Sequence, residues 1–270
     1  MKTTHSQATH DLISAYSKLR AADSSNDKYL KYPPSIPFIG NRYFEAQSRI
    51  LVYASAENLT YALENPSSGI NSLAENEQRN RHYHYFTYRN DDRKRYPEIH
   101  MRPIKVGGLL LVAKYIADSK FPGIFSNNRY DFLDQICCGN IGKFSLATTT
   151  NKDYAGDIRH LIDSVPYIIN DIEVLQPELI ILPLTSLRAL SKSDASIAKQ
   201  LVNNLKHIDH IGIYQVNQRV INGAITSWIK KQPLRSPIVQ FSWFNEWNDQ
   251  IEPKMDMQKY LEWLSFLLAQ

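Results

Sequence analysis

Residues 49–59 read RILVYASAENL, and this stretch predicts more about the fold than any other part of the chain. It opens with an apolar, β-branched-rich run at residues 50–53, which is typical of a short buried strand. Small residues follow, and Glu57 and Asn58 then bring a carboxylate and an amide to the carboxyl end of that strand. Ligands bind at this end of the strands in open α/β sheets. We therefore expect a binding or catalytic loop directly after the strand.

Composition narrows the class of protein. The chain has 270 residues, enough to bury the core of one sizeable domain. It has no apolar run long enough to span a membrane, and residues 1–10 lack the hydrophobic core of a signal peptide, so we expect a cytoplasmic protein. The only cysteines, Cys137 and Cys138, lie in an apolar stretch, which predicts buried thiols in a reducing compartment.

Metal and cofactor chemistry finds little support in the sequence. Two thiols cannot supply the four ligands of an iron–sulfur cluster or an all-cysteine zinc site. His82 and His84 alternate along the chain, but no third ligand follows at a suitable spacing. Neither a phosphate-binding P-loop nor a glycine-rich dinucleotide fingerprint occurs. We therefore expect no metal and no cofactor.

Positive charge is concentrated in one part of the chain. The formal net charge is only +4, but residues 79–105 contain eight basic and three acidic residues. Within them, residues 81–89 read RHYHYFTYR, in which Arg81 and Arg89 flank a run that includes Phe86. Arginines meet phosphates while aromatic rings stack on bases, so this segment predicts contact with nucleic acid. The alternative is an amphipathic element whose rings pack inward.

Short strands alternate with helical patterns along the rest of the sequence. We predict strands at residues 50–54, 135–139 and 179–182, and a fourth at 211–216 or 238–243, or at both. Helical spacing covers residues 10–22, 107–117, 158–175, 184–190, 195–205, 217–230 and 257–268. This alternation predicts a three-layer α/β/α sandwich with a central, mostly parallel four-stranded sheet. We expect a single domain over residues 1–270, with a helical N-terminal extension at 1–35 and a basic–aromatic insertion at 64–103.

A second strand end repeats the features of the first. Residues 137–146 read CCGNIGKFSL, so Asn140 follows an apolar strand and Lys143 comes shortly after. An amide offers a donor and an acceptor together, as reading a base edge requires, although asparagine is also common in strand-terminal turns. The first motif has an ordinary alternative too, because Ser55 or Glu57 could cap a helix. Neighbouring parallel strands would bring Glu57, Asn58 and Asn140 into one crevice, which favours a site.

A third strand end carries aromatic residues. Residues 241–249 read FSWFNEWND and follow an apolar run. Asn245 could enter the same crevice, with the neighbouring rings acting as wedges or lids. The alternative is a core aromatic cluster that ends in an asparagine turn.

These motifs together resemble the uracil-DNA glycosylase superfamily. Residues 36–43, IPFIGNRY, are similar to the lead-in P-x-x-G-x-x-Y before the first strand of that family. Residues 50–58 resemble its first motif, which carries the acid or amide that binds water, and residues 139–143 resemble its second strand end. Residues 171–181, DIEVLQPELII, are similar to its run E-I-x-x-L-x-P-x-x-I-I, with Asp171 in place of the glutamate. The resemblance covers residues 36–270.

The chain also departs from the family at several positions. Ala54 stands where the first motif usually opens with glycine, and the proline of that motif is absent. The family's acid therefore aligns with Ala56, Glu57 or Asn58. The family's His-Pro-Ser loop is missing after the last strand, and so are the iron–sulfur cysteines of some branches. Small residues beside the pocket and the insertion at 64–103 predict room for a base bulkier than uracil.

The resemblance implies a monofunctional DNA glycosylase that hydrolyses the N-glycosidic bond of a flipped-out base. Glu57 and Asn58 would be catalytic. The base would lie among Ser55, Ala56, Phe86, Asn140 and Asn245. The phosphates of DNA would be held by Arg81, Arg89, Arg102, Lys105 and Lys143.

We expect a monomer that acts on single- or double-stranded DNA and not at a membrane. The expected substrate is a modified pyrimidine, for which glucosylated hydroxymethylcytosine in phage DNA is one candidate and anti-phage defence the corresponding role; uracil is the other candidate. A non-catalytic nucleic-acid-binding protein of the same fold and a nucleoside or nucleotide hydrolase are the alternatives.

Overall fold

A computed structural model of the protein describes residues 3–22, 33–56, 73–74, 106–126, 129–144, 159–183, 195–205, 208–213, 241–243, 259 and 262–263. Within these residues, six strands form one sheet in the order β1-β3-β2-β4-β5-β6. The strands are β1 (Phe38–Ile39), β2 (Ile50–Ala56), β3 (Ile136–Gly142), β4 (Leu179–Pro183), β5 (Asp209–Ile213) and β6 (Phe241–Trp243). The helices are α1 (His5–Ala22), α2 (Val106–Lys120), α3 (Arg129–Gln135), α4 (Arg159–Leu175) and α5 (Ala195–Leu205), with a 3-10 turn at Tyr43–Glu45. The protein therefore belongs to the α/β class.

The sheet is mixed, which corrects the expected mostly parallel sheet of four strands. The pairings β3–β2, β2–β4 and β4–β5 are parallel, whereas β1 and β6 pair antiparallel at the two edges. The edge strand β1 was not predicted because its two residues are too few for an apolar pattern to stand out, and an apolar pattern does not show the direction in which β6 pairs. Both segments considered for a fourth strand contribute one, β5 and β6.

The core lies where α1 and α4 meet the sheet. The residues of β2 at positions 50–53 are buried, and so are those of β4 at 179–182. Helix α4 turns an apolar stripe toward the sheet, with buried residues at helical spacing: Leu161, Val165, Ile168, Ile172 and Leu175. Ala8, Leu12 and Tyr16 of α1 have no solvent exposure and belong to the same core. The N-terminal helix is thus part of the packed domain.

Two local features fix the segment before β2. The amide of Gly40 donates to the carbonyl of Ile136 at 3.0 Å, so the chain runs directly against the junction of α3 and β3. A Cβ atom at Gly40 would lie 2.4 Å from the carbonyl oxygen of Asp134, which leaves room for glycine only. The buried Tyr43 donates its hydroxyl to the carbonyl of Leu175 at 3.1 Å and so ties this segment to the end of α4.

A second anchor holds residues near the C-terminus. The indole of Trp263 donates to Oδ2 of Asp118 at 2.7 Å, and its ring meets Tyr115 edge to face at 5.4 Å. Asp118 also pairs with the buried ammonium of Lys114. Burial lowers the pKa of Lys114, and the hydrogen bond to Asp118 opposes that shift. No helix among the described residues combines the length and apolar character needed to cross a membrane.

Candidate functional site

The candidate site lies at the carboxyl ends of β2 and β3. The two strands are parallel neighbours, as expected, and Ala54 lies opposite Asn140 while Ala56 lies opposite Gly142. Both strands therefore end on the same side of the sheet, and ligands bind at the carboxyl ends of strands in open α/β sheets. Glu57 and Asn58 directly follow β2 and lie outside the described residues.

Asn140 lies inside β3 and not in a turn after it. The strand continues to Gly142, three residues beyond the predicted end. The side chain of Asn140 is half-buried, and its Nδ2 donates to Oγ of Ser35 at 3.4 Å. Ser35 is buried, and its own amide donates to the carbonyl of Lys143 at 2.7 Å. Ser35 thus links the amide of Asn140 to the backbone at the end of β3.

Lys143 is placed differently from its predicted role in binding phosphates. Its side chain has no solvent exposure, and its ammonium pairs with the equally buried carboxylate of Asp171 on α4. The ammonium also lies 5.3 Å from the ring centre of Tyr53 and 5.7 Å from that of Tyr16, which suits a cation–π contact. Lys143 is therefore corrected from a DNA contact to a core residue, since a buried ammonium cannot reach a phosphate.

Two tyrosines complete the surroundings of Asp171. The hydroxyl of Tyr16 donates to Oδ1 at 2.7 Å, and the hydroxyl of Tyr53 donates to Oδ2 at 2.8 Å. We call Tyr16, Tyr53, Lys143 and Asp171 the buried polar cluster. Its members come from α1, β2, the end of β3 and α4, so a single carboxylate joins four parts of the fold.

Burial dominates the electrostatics of this cluster. It raises the pKa of Asp171, while the charge of Lys143 and the hydrogen bonds from Lys143, Tyr16 and Tyr53 lower it. Burial also raises the pKa values of both tyrosines well above 10.0, and the charge of Asp171 adds to that shift. The hydroxyls therefore stay protonated as donors at neutral pH. A cluster enclosed in this way can hold the strands in place, but it cannot touch a substrate.

Gly139 makes room for the cluster. A Cβ atom at this position would lie 3.1 Å from Cε1 of Tyr53 on the neighbouring strand. The glycine in the sequence CCGN therefore allows the Tyr53 ring to pack beside β3. Sequence reasoning missed the cluster, although one signal was visible: Asp171 is an acid between buried positions of an apolar helix stripe, and such an acid is rarely buried without a partner.

Most of the other predicted site residues lie outside the described part of the chain. Ser55 and Ala56 form the end of β2, which continues two residues beyond the strand end predicted at residue 54. The predicted helices at 184–190 and 217–230 are not among the described residues, and only residues 259 and 262–263 of the helix predicted at 257–268 are. The site residues outside the described ranges are Glu57, Asn58, Arg81, Phe86, Arg89, Arg102, Lys105 and Asn245.

Other features of the described residues do not add to this site. They contain no group of three or more His, Cys, Asp or Glu side chains that could hold a metal ion. An open hollow of about 460 Å³ is lined by α1 residues and Asn170, without any residue of β2 or β3. Cys137 is buried and Cys138 is partly buried, and both thiols are free.

The chain was compared with protein families, curated proteins and solved structures. No protein-family model, no curated protein and no solved structure matches the chain.

Proposed function

We propose that the protein is a DNA glycosylase that hydrolyses the N-glycosidic bond of a flipped-out base. The observation that carries the proposal is the parallel register of β2 and β3. Asn140 lies opposite Ala54, and Ala54 precedes Glu57 by three residues. A strand advances about 3.3 Å per residue, so three residues span only about 10 Å. The half-buried amide of Asn140 therefore lies at the same end of the sheet as the end of β2, and Glu57 and Asn58 are the next residues in the sequence. A three-layer α/β/α arrangement is part of the proposal.

The proposed chemistry needs one carboxylate, one water and one amide. Glu57, helped by Asn58, positions the water and stabilises the positive charge that develops on the deoxyribose. The water attacks C1′ as the bond to the base breaks, Glu57 accepts the proton that the water loses, and the departing base takes up one proton in exchange through solvent. Asn140 binds the edge of that base with its donor and its acceptor. The position of Asn140 opposite Ala54, close to the end of β2, supports this chemistry.

DNA binding is assigned to the basic–aromatic insertion and to Lys105, which follows it in the sequence. Arg81, Arg89, Arg102 and Lys105 hold phosphates, and Phe86 stacks on the extruded base, with Asn245 beside it. Lys143 no longer belongs to this set because its ammonium is buried with Asp171. The protein acts as a monomer in the cytoplasm in this proposal.

A modified pyrimidine is the proposed substrate. Ala54, Ser55 and Ala56 are small residue types, which favours a pocket roomy enough for glucosylated hydroxymethylcytosine in phage DNA. The corresponding role is defence against phage, and uracil remains the smaller alternative.

Base release from defined DNA tests the proposal. Full-length protein is incubated with single- and double-stranded oligonucleotides that contain uracil, hydroxymethylcytosine or its glucosylated form, and the released base is identified by mass. We expect release of the glucosylated base and an abasic site. Release from uracil DNA alone would exclude the modified-base substrate.

Two substitutions and a matched control locate the site. Glu57→Ala and Asn140→Ala should each slow base release by roughly 10²- to 10⁴-fold while DNA binding persists. Asn204→Ala removes an amide that donates to the carbonyl of Gln200 within α5, at 2.9 Å, and should leave the rate unchanged.

The alternatives give other results in the same assays. DNA binding without release of any base by the wild-type protein would indicate a non-catalytic binding protein. Hydrolysis of free nucleosides or nucleotides, with little dependence on salt, would indicate a nucleoside or nucleotide hydrolase.

A further inference from the structure

The carboxylate of Asp171 receives hydrogen bonds from both strands that form the candidate site. Tyr53 of β2 and Lys143, the residue after β3, both donate to Oδ2, while Tyr16 of α1 donates to Oδ1. Tyr53 directly precedes Ala54, and Lys143 follows Asn140 by three residues. Asp171 is therefore bonded to each strand close to the pair Ala54 and Asn140.

The backbone around Lys143 is held on both sides as well. Its amide donates to Oγ of Ser164 on α4 at 2.9 Å, and its carbonyl accepts from the amide of Ser35 at 2.7 Å. Oγ of Ser35 also accepts from Nδ2 of Asn140. Helix α4 thus contacts the end of β3 through two side chains, Ser164 and Asp171.

Stability alone does not account for such a cluster. Removing two charges from water costs free energy that their attraction barely returns, and well-packed apolar residues of similar volume often stabilise a core as much or more. The hydroxyls of Tyr16 and Tyr53 likewise need partners only because they are buried. The particular property of the cluster is directional, since each bond to Asp171 fixes one element relative to α4.

We propose that Asp171 is a positioning residue that aligns the carboxyl ends of β2 and β3 for base excision. This inference rests on the proposed glycosylase function for its catalytic part. Asp171 acts through Tyr53 on the strand that leads to Glu57 and through Lys143 on the strand that carries Asn140. A misplacement of about 1 Å between catalytic groups can cost on the order of 100-fold in rate, so alignment of this edge matters for catalysis.

Hydrogen exchange tests the alignment without reference to activity. Tyr53→Phe removes one bond to Asp171, and the double variant Lys143→Met/Asp171→Leu removes both charges at once. Tyr43→Phe is the matched control, because it also removes one buried tyrosine hydroxyl. The hydroxyl of Tyr43 donates to the carbonyl of Leu175 and not to Asp171. We expect backbone amides at residues 53–56 and 139–143 to exchange at least about 10-fold faster in both test variants, and at the wild-type rate in the control.

Each result in this experiment decides the inference. Unchanged exchange at both strand ends in Tyr53→Phe overturns the role of Asp171, and so does an equal increase in Tyr43→Phe. If the double variant fails to fold, Tyr53→Phe alone carries the test.

Enzyme kinetics then test the positioning role of Asp171 separately from the proposed glycosylase activity. On the DNA from which the wild type releases a base, Tyr53→Phe should lower kcat by about 10-fold or more with KM changed less than about 3-fold. Faster exchange with an unchanged kcat would overturn the inference, because the strand ends would then not need alignment for catalysis. If the wild type releases no base from any DNA, the glycosylase proposal fails, while the exchange data still decide whether Asp171 aligns the strands.

Discussion

The ammonium of Lys143 and the carboxylate of Asp171 form an ion pair in which neither side chain has any solvent exposure. The partners are separated by 28 residues and come from the end of β3 and from α4. Removing one partner leaves the other charge buried and unpaired, which is far more costly than removing both. The stability of the protein should therefore depend strongly on whether one charge or both charges are removed.

Single substitutions at this pair should be much more harmful than the double substitution. Lys143→Met and Asp171→Leu should each lower the free energy of unfolding by about 3–5 kcal/mol, because each leaves one buried charge without its partner. The double variant should recover the part of that loss that comes from the unpaired charge, while the hydroxyls of Tyr16 and Tyr53 still lack their acceptor. Urea denaturation of the four proteins gives the coupling energy, and additive effects of the two substitutions would contradict a buried ion pair.

Alkaline pH should destabilise the protein through its buried tyrosines. Burial, followed by the charge of Asp171, raises the pKa values of Tyr16 and Tyr53 well above 10.0. The unfolded tyrosines ionise first as pH rises, so the folded state binds more protons above pH 10.0. The two tyrosines make their full contribution to stability below that pH. Above it, the free energy of unfolding should fall by about 1.4 kcal/mol per pH unit for each tyrosine.

Phenylalanine variants identify the source of that alkaline loss. The urea midpoint of the wild type should drop as the pH rises above about 10. Tyr16→Phe/Tyr53→Phe should show a shallower drop, even if its stability at neutral pH is lower. A pH dependence identical to that of the wild type would exclude these two hydroxyls as its cause.

The sequence pattern predicted the central strands and helices because their buried positions are occupied by runs or periodic series of apolar residues. The strand expected at 50–54 occurs as β2, and the helix expected at 195–205 occurs with those bounds. Helix α1 begins at His5, five residues before the predicted start, because its polar first turn shows no apolar stripe. Helix α3 was not predicted, since its seven residues are too few for helical periodicity to stand out.

The site was only partly predictable for a related reason. The adjacency of the carboxyl ends of β2 and β3 was predicted from two apolar runs followed by polar residues, which is a local signal, whereas the register of Ala54 against Asn140 was not predicted. The bond between Asp171 and Tyr16 joins residues 155 positions apart, and no local pattern carries that information. Lys143 was expected at the surface because a lone lysine usually is, and only its tertiary partner reverses that preference.

Two glycines should tolerate alanine poorly for different reasons. At Gly40 the new Cβ would lie 2.4 Å from the backbone carbonyl of Asp134, which no rotamer change can relieve. Gly40→Ala should cost roughly 3 kcal/mol or more through forced backbone movement. At Gly123 nothing lies within 4 Å, but φ is +74°, so Gly123→Ala should cost only about 1–2 kcal/mol. Denaturant unfolding measures both, and a smaller loss at Gly40 than at Gly123 would contradict the close approach.

Replacing Gln176 should stabilise the protein. This residue ends α4 with φ of +46°, and its amide donates to the carbonyl of Ile172 at 2.9 Å. Glycine adopts this left-handed conformation without strain, so Gln176→Gly should raise the free energy of unfolding by about 0.5–1 kcal/mol after its larger unfolded-state entropy is deducted. Gln176→Ala keeps the strain and serves as the control, so an equal gain in both variants would exclude relief of backbone strain.

The two adjacent cysteines should differ in their reaction with iodoacetamide. Cys137 has no solvent exposure and a raised pKa, whereas Cys138 is partly exposed but has a pKa raised by burial to about 12. At about pH 8 only roughly one Cys138 in 10⁴ is a thiolate, so alkylation of the folded protein should be slow and accelerate about 10-fold per pH unit. Cys137 should react only when the protein unfolds, and in urea both thiols should react at the rate of free cysteine. Tandem mass spectrometry assigns each adduct, and rapid labelling of Cys137 in the folded protein would contradict its place in the core.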